Sequence, residues 1–293
     1  MDAAAQEPAA GSAVQAQDRL GQRDFARLAT FIQDYSGIKM PPNKITMVEG
    51  RLRRRVRATG LDSVTDYCRY LFDCGGLEAE AIHLIDAITT NKTEFFREPG
   101  HFKVLAESVL PELAAARRVD ARSPVKIWSA ACSTGAEVYT LAMVLAEFGR
   151  GQPGFRASIL ATDICTEVLE AALLGIYPES MMTPVPREFA RRYLMRHRQA
   201  ARPEVRIVPE LRQMARFARL NLMDGAYPVE RDMDVIFCRN ILIYFDKPTQ
   251  EVVLSRLCEH LRPGGHLFLG HSESLAGLRL PLRSVGKSVF RRG

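Results

Sequence analysis

At 293 residues the chain is too long for one small domain and fits one large domain or two unequal ones. A 47% hydrophobic and 25% charged content is ordinary for a soluble globular protein; no apolar run reaches the ~18 residues that cross a bilayer, and the N-terminus lacks the basic start and apolar core of a secretory signal. The net charge of +6 is moderate, so its placement along the chain says more than its size.

Residues 1–20, rich in Ala, Gln, Gly and Ser, are expected to form a disordered tail. From 21 to 89 the pattern is that of a small helical domain. Phe25, Leu28, Phe31 and Ile32 fall at helical spacing, as do Ile45, Val48, Leu52 and Val56, and then Tyr67, Tyr70 and Leu71. Pro41-Pro42 and Gly60 separate these segments. Within the second segment, residues 51–57 read RLRRRVR, five arginines in seven residues. On a helical wheel the apolar residues face the bundle and Arg51, Arg53, Arg54, Arg55 and Arg57 cover the other faces, with Glu49 the only acid close in sequence. A solvated face would account for such a run. A docking surface for an acidic partner, whether protein, nucleic acid or lipid headgroup, accounts for it better.

Residues 90–293 change character. Thr90-Asn-Lys-Thr-Glu-Phe-Phe-Arg97 is a polar turn ending in two aromatics and an arginine. Strands are expected at 125–129, 157–161, 233–238 and 266–269, with a last one near 288–290, alternating with helices such as 167–174. That alternation implies an α/β fold, a doubly wound parallel sheet with ligands at the carboxyl ends of its strands. Residues 176–220 break the rhythm with several prolines, an Arg-rich stretch, Glu204-Val-Arg-Ile-Val208 and the alternating Met214-Ala-Arg-Phe-Ala-Arg-Leu220. They are expected to be an inserted antiparallel β-subdomain.

The six cysteines, at 68, 74, 132, 165, 238 and 258, show neither CxxC nor paired His spacing, so neither a metal site nor a disulfide framework is expected and a reduced, cytoplasmic setting is. Ser129–Gly135 links a strand to a helix through small residues, either as a tight connection or as an approach for a ligand at the helix N-terminus. Glu137 lies just inside that helix. Asp163 ends the second strand, where it can hold the two hydroxyls of a ribose or cap the next helix. Asn221 follows another strand end and is suited to an adenine edge, and Cys238-Arg-Asn240-Ile241 makes a further strand end polar.

The blocks TNKTEFFRE, IWSAACSTGAE, ATDICTEVLEAA, FCRNILIYFD and GHLFLGHSES, in this order, resemble those of the CheR family of chemotaxis receptor methyltransferases. The resemblance runs from about residue 22 to 290. It implies a Rossmann-like S-adenosylmethionine-dependent domain with the β-subdomain inserted, preceded by an all-α domain. It implies transfer of a methyl group to receptor glutamates, with S-adenosylhomocysteine as product. By motif, the cofactor contacts would be Asn91, Thr93, Arg97, Glu137, Asp163, Asn221, Leu222, Asn240 and Ile241. Ala136 departs from the family, which often has a second acid there. Arg51, Arg54, Arg55 and Arg57 match the family's helix that faces the methylated receptor bundle, and Arg53 is an added charge. The β-subdomain is the one that binds a receptor's C-terminal peptide in some members; here the loop 196–202 is basic and without glycine, which leaves that contact undecided.

The chemistry fits the absence of acid–base constellations. A glutamate is already ionised at neutral pH and attacks a sulfonium methyl without a general base. Arg97 is suited to orient the cofactor or the incoming carboxylate, unless it only pairs with Glu94 or Glu98 at the surface. Tyr244 either lines the transfer pocket or is a satisfied core tyrosine. Ser272 lacks the second Gly of a nucleophile turn and His271 has no evident acid partner, which argues against a hydrolase. A nucleic-acid methyltransferase is disfavoured because Arg239-Asn-Ile-Leu-Ile-Tyr244 stands where an amino-methylating enzyme has its Pro-Pro block. A protein that senses S-adenosylmethionine without turnover is the alternative from another class. No membrane insertion is expected.

Overall fold

Four helices account for the first part of the chain, and each ends where its sequence stops it. Helix α1 (Gln22–Ser36) buries Phe25, Leu28 and Ile32 on one face and ends at Gly37, φ 73°. Helix α2 (Ile45–Thr59) buries Val48, Leu52 and Val56 and ends at Gly60, φ 69°; both glycines adopt the left-handed cap that a Cβ disfavours. Helix α3 (Val64–Asp73) starts at Ser63, whose Oγ accepts the Asp66 N–H at 3.0 Å, and α4 (Leu77–Ile88) supplies Leu84, Ile85 and Ile88 to the same core. In this computed structural model the described residues are 18–116, 119–120, 122–196 and 203–293, in two units divided between Thr89 and Thr90. Most of the expected tail, 1–17, and most of the basic loop, 197–202, lie outside them.

Two expectations for this unit need correction. The last residues of the expected tail belong to the bundle: Leu20 is buried, its N–H donates to Glu49 Oε2 at 3.1 Å, and Asp18 Oδ1 accepts the Val64 N–H at 2.6 Å, satisfying a helix-start donor. The arginines of α2 also do not all face outward. Arg55 makes a two-pronged contact with buried Glu80, Nη2 to Oε1 at 2.9 Å and Nε to Oε2 at 3.0 Å, and the Tyr67 hydroxyl donates to the same carboxylate at 2.8 Å. Arg51 donates to the carbonyls of Ile88 and Thr89, capping the end of α4. Arg53 pairs with Glu49 at 3.0 Å. Arg54 and Arg57 are exposed.

The second unit opens with α5 (Gly100–Val104), a π turn over Leu105–Val109 and α6 (Leu110–Ala116). Then follow β1 (Val125–Ala130), α7 (Ala136–Arg150), β2 (Ala157–Asp163), α8 (Thr166–Leu174), β3 (Ile176–Pro178), α9 (Arg187–Tyr193), β4 (Leu194–Arg196), β5 (Glu204–Ile207), α10 (Pro209–Arg212), β6 (Ala215–Arg219), β7 (Met233–Cys238), α11 (Lys247–His260), β8 (Leu261–Leu269), β9 (Leu282–Gly286) and β10 (Val289–Arg292). The main sheet has the order β6-β2-β1-β7-β8-β10-β9, parallel from β6 to β8 and antiparallel beyond. Its central strands are apolar almost throughout, as strands covered on both faces are; Ile127, Trp128, Val235, Ile236, Phe237, Phe268 and Leu269 have no exposed surface. Phe237 and Phe268 stack on neighbouring strands with centroids 4.4 Å apart. The chain runs outward on one side of β1 to β2 and β6, then returns to its other side at β7, which puts the topological switch at the carboxyl ends of β1 and β7.

The inserted subdomain is smaller than expected. Strands β3, β5 and β4 form a separate antiparallel sheet, whereas β6 pairs in parallel with β2 and is the edge of the main sheet. Its alternating sequence misleads because an edge strand of a parallel sheet is only half covered. Strand β9 had no sequence signal; it is exposed over nearly its whole length.

Candidate active site

The carboxyl ends of the parallel strands carry an unusual backbone. Ala131, Ser133 and Asn240 take φ of 62°, 51° and 59°, and Phe96 and Glu98 in the preceding loop take 53° and 57°. Left-handed non-glycine residues cost of order 1–3 kcal/mol each, so their surroundings must hold them. They are held by hydrogen bonds between segments distant in sequence. In the turn after β1, Ser133 N–H donates to Asp163 Oδ2 at 2.8 Å and its hydroxyl to the Asn91 carbonyl at 3.0 Å, while Tyr177 donates to the Thr134 carbonyl at 2.6 Å. Gly135, φ 85°, closes the turn where an added Cβ would meet Ala172 Cβ at 2.9 Å. Asp163 Oδ1 accepts the N–H of Cys165, at the start of α8, at 3.0 Å. Asp163 therefore closes an Asx turn ahead of α8, whose N-cap is Cys165 with no side-chain cap, and it also clasps the turn after β1.

Glu137 occupies the first turn of α7. Its Oε1 accepts from the Ser129 hydroxyl at 2.8 Å and its Oε2 lies 2.9 Å from Arg239 Nη1. Arg239 was no sequence candidate, yet its guanidinium is buried and joins three segments. Nη2 reaches Glu98 Oε2 at 3.0 Å and also donates to the Arg97 carbonyl. Glu98 Oε1 in turn accepts the Asn240 Nδ2–H at 3.3 Å and the His271 N–H at 3.2 Å. Burial raises the Glu98 carboxyl, but the His271 N–H and the Arg239 guanidinium outweigh it and hold it below its ordinary range. Burial, with the Arg239 charge second, pushes the His101 imidazole down to about 4.

Each expected site residue can now be located. Asn91 Nδ2 lies 3.5 Å from Cys165 Sγ, and Thr93 is half-buried in the same loop. The Arg97 guanidinium donates to the Lys92 carbonyl at 3.2 Å and not to Glu98, the alternative partner, which is turned to Arg239. Asn221 and Leu222 follow β6 and are buried; Asn221 Oδ1 accepts the Met223 N–H at 3.0 Å, and the Tyr227 hydroxyl donates to the Leu222 carbonyl at 2.8 Å. Ile241 is half-buried, and Tyr244 is half-buried in a 3-10 turn over Leu242–Tyr244. His271 does have an acid neighbour, Glu98, 3.9 Å from its Nε2. Arg51, Arg54, Arg55 and Arg57 belong to the other unit. Arg239, Glu98 and Glu273 are the functional candidates that sequence reasoning passed over, although all three stand inside the quoted blocks.

A ligand with a ribose diol, an amino group and a sulfonium needs acceptors and negative charge around it. Asp163 and Glu137 supply both, and a carboxylate offers about four acceptor positions, of which Glu137 uses two for Ser129 and Arg239. The residues therefore fit S-adenosylmethionine. Glu98, His101 and His271 present three metal-type donor atoms within 4.8 Å of one another, but Arg239 at 3.0 Å from Glu98 already holds the positive charge a cation would bring. A cleft of about 250 Å³ beside Lys126, Ser158, Met214 and Glu230 lies at the opposite, amino end of the strands.

Comparison with known proteins agrees with this geometry. Residues 23–89 match the CheR methyltransferase all-alpha domain and residues 91–290 the CheR methyltransferase SAM binding domain. The chemotaxis protein methyltransferase of Salmonella typhimurium is 41% identical over 273 residues, 92% of this chain and 90% of that one. That of Escherichia coli is 39% identical over 281 residues, 94% of each chain. Chemotaxis protein methyltransferase 2 of Pseudomonas aeruginosa is 37% identical over 270 residues, 92% of each.

Proposed function

Since the chain belongs to the CheR methyltransferase family, we propose that it methylates glutamate side chains of chemotaxis receptors, leaving glutamate methyl esters and S-adenosylhomocysteine. The observation that carries this reading is the convergence of Asn91, Arg97, Glu137, Asp163 and Asn240 through the hydrogen bonds at the carboxyl ends of β1, β2 and β7.

S-adenosylmethionine supplies a methyl group on a positively charged sulfur, which an ionised carboxylate attacks directly. Asp163 takes the ribose hydroxyls, and Glu137 with Asn91 and Thr93 holds the amino-acid end. Asn221 and Leu222 flank the base, with the Leu222 carbonyl fixed by Tyr227. Asn240 and Ile241 close the remaining side. Arg97 orients the incoming carboxylate by a guanidinium fork, and Tyr244 lines the transfer pocket. Attack neutralises two opposite charges, so a site of low polarity favours it, and positioning the oxygen about 3 Å from the methyl carbon provides much of the rest.

Receptor docking falls to the exposed Arg54 and Arg57 of α2, with Arg53 beside them, while Arg51 and Arg55 serve mainly to fix the helix. A receptor C-terminal segment bound by strand addition would meet β3 or β4, the two outer strands of the small sheet. Among the described residues no helix is long and apolar enough to cross a membrane.

Peptide mapping tests the reading. A purified receptor cytoplasmic fragment incubated with this protein and S-adenosylmethionine should carry methyl esters on glutamate side chains. Methyl groups on nitrogen, or cofactor binding with no transfer to any of several receptor fragments, would replace it with the amino-methylating or the sensing alternative.

A further inference from the structure

The run Asn240–Tyr244 carries three residues assigned to the reaction, Asn240, Ile241 and Tyr244, on irregular backbone that starts at φ 59°. Left to itself such a run has many conformers, and fixing it costs conformational entropy at every residue. Gln250 holds the Leu242 carbonyl at 2.9 Å and Glu98 the Asn240 side chain, and the group that gathers the backbone N–H donors of the run is a carboxylate from outside. Glu273 follows β8 and is 7% exposed. Its Oε2 accepts the N–H groups of Asn240 at 3.0 Å and Gly270 at 2.7 Å, and its Oε1 accepts that of Leu242 at 2.8 Å. Burial raises the Glu273 carboxyl and these N–H groups work against that rise. Gly270 makes the approach feasible, because an added Cβ would stand 2.4 Å from Asn240 Nδ2 and 3.0 Å from Glu273 Oε2.

We infer that Glu273 is a positioning residue for methyl transfer: by gathering the backbone N–H groups of Asn240 and Leu242 it sets Asn240, Ile241 and Tyr244 in their working places. It acts through the backbone of the run and is assigned no contact with the cofactor or the receptor glutamate. The inference rests on the methyltransferase reading of this site. Its two oxygens converge on the first and the middle residue of the five-residue segment that bears the site residues.

Two variants test it. Glu273→Gln keeps the shape but offers one acceptor oxygen and turns an NH2 toward backbone N–H groups. Gly270→Ala keeps the carboxylate and pushes Asn240 instead. In both, kcat for receptor methylation should fall about 10²-fold, the cost of a misplacement near 1 Å, and S-adenosylhomocysteine should bind roughly tenfold more weakly. The KM for receptor should stay put, and amide exchange should quicken at residues 240–242 and at position 270, whose N–H the same carboxylate accepts, and not across the rest of the sheet. Both variants within about twofold of the parent in kcat and S-adenosylhomocysteine affinity would overturn the inference. So would lost activity accompanied by faster exchange across the whole sheet, which is the signature of general destabilisation. If the parent protein itself fails to bind S-adenosylhomocysteine, the methyltransferase reading falls, and that outcome is separate from either variant's behaviour.

Discussion

Replacing Arg239 by Met removes the guanidinium that holds Glu98 at 3.0 Å, Glu137 at 2.9 Å and the Arg97 carbonyl, while keeping a long side chain in the space beside Phe102 and Phe237. Two carboxylates with only 15% and 13% side-chain exposure then lose their counter-charge. Breaking a buried pair by deleting one partner costs about 3–5 kcal/mol. For a unit of this size each kcal/mol moves the melting temperature by about 2–4 °C, so the expected fall is roughly 6–20 °C at pH 7. The deficit has a definite pH dependence. In the parent protein Glu98 sits below its ordinary 4.5 and His101 is pushed from 6.5 down to about 4, so both contribute stability at neutral pH that is lost on acidification. The His101 contribution is lost between pH 6.5 and about 4, and that of Glu98 as pH falls below 4.5. Without Arg239 the folded variant takes up protons more readily at both groups, so its stability falls less with acid. Calorimetric melts from pH 7.5 to 4.5 should therefore show the gap between parent and Arg239→Met narrowing. A variant that melts within 2–3 °C of the parent at pH 7, roughly 1 kcal/mol, would refute the keystone role of Arg239. A gap that does not change with pH would refute the electrostatic reasoning.

Arg97→Ala should lower receptor methylation at least ~10²-fold, as expected for loss of a charged orienting group, and leave the melting temperature within a few degrees; unchanged methylation would remove its catalytic role. Reversing both Arg54→Glu and Arg57→Glu should raise the receptor KM, most strongly at low salt, with S-adenosylhomocysteine affinity unchanged by calorimetry; equal KM at every salt concentration would dismiss the docking surface. Arg55→Glu sets a second carboxylate against Glu80 and should destabilise the helical unit by about 3 kcal/mol or more, read as an early transition in thermal melts, whereas a purely surface arginine would move it little.

The sequence carried the architecture further than it carried the site. Strands such as Val125–Ala130 and Met233–Cys238 are short apolar runs bounded by turns, and residues 127–137 read directly as strand, turn and helix. Strand β6 was placed in the wrong sheet because Ala215–Arg219 alternates like an antiparallel strand, and only its pairing with β2 reveals a half-covered edge. On α2 the arginines were plain, but the acid that claims Arg55 lies 25 residues further along, so no wheel of that helix shows it. The same holds for the site. Asp163 and Glu137 stand out because they sit at strand and helix ends, whereas Arg239 is one cation in a motif until Glu137, 102 positions earlier, is folded against it. Glu273 is hidden for a different reason: its partners are backbone N–H groups, which every residue has, and only the left-handed turn at Asn240 aims them at one carboxylate.

The most direct test of the central claim is transfer of labelled methyl from S-adenosylmethionine to receptor-rich membranes, followed by a mild alkali wash. The account predicts label on receptor protein that depends on this enzyme and is released by alkali as a carboxyl methyl ester is. Label that survives the alkali, or no label in any receptor preparation although the cofactor binds, would contradict it.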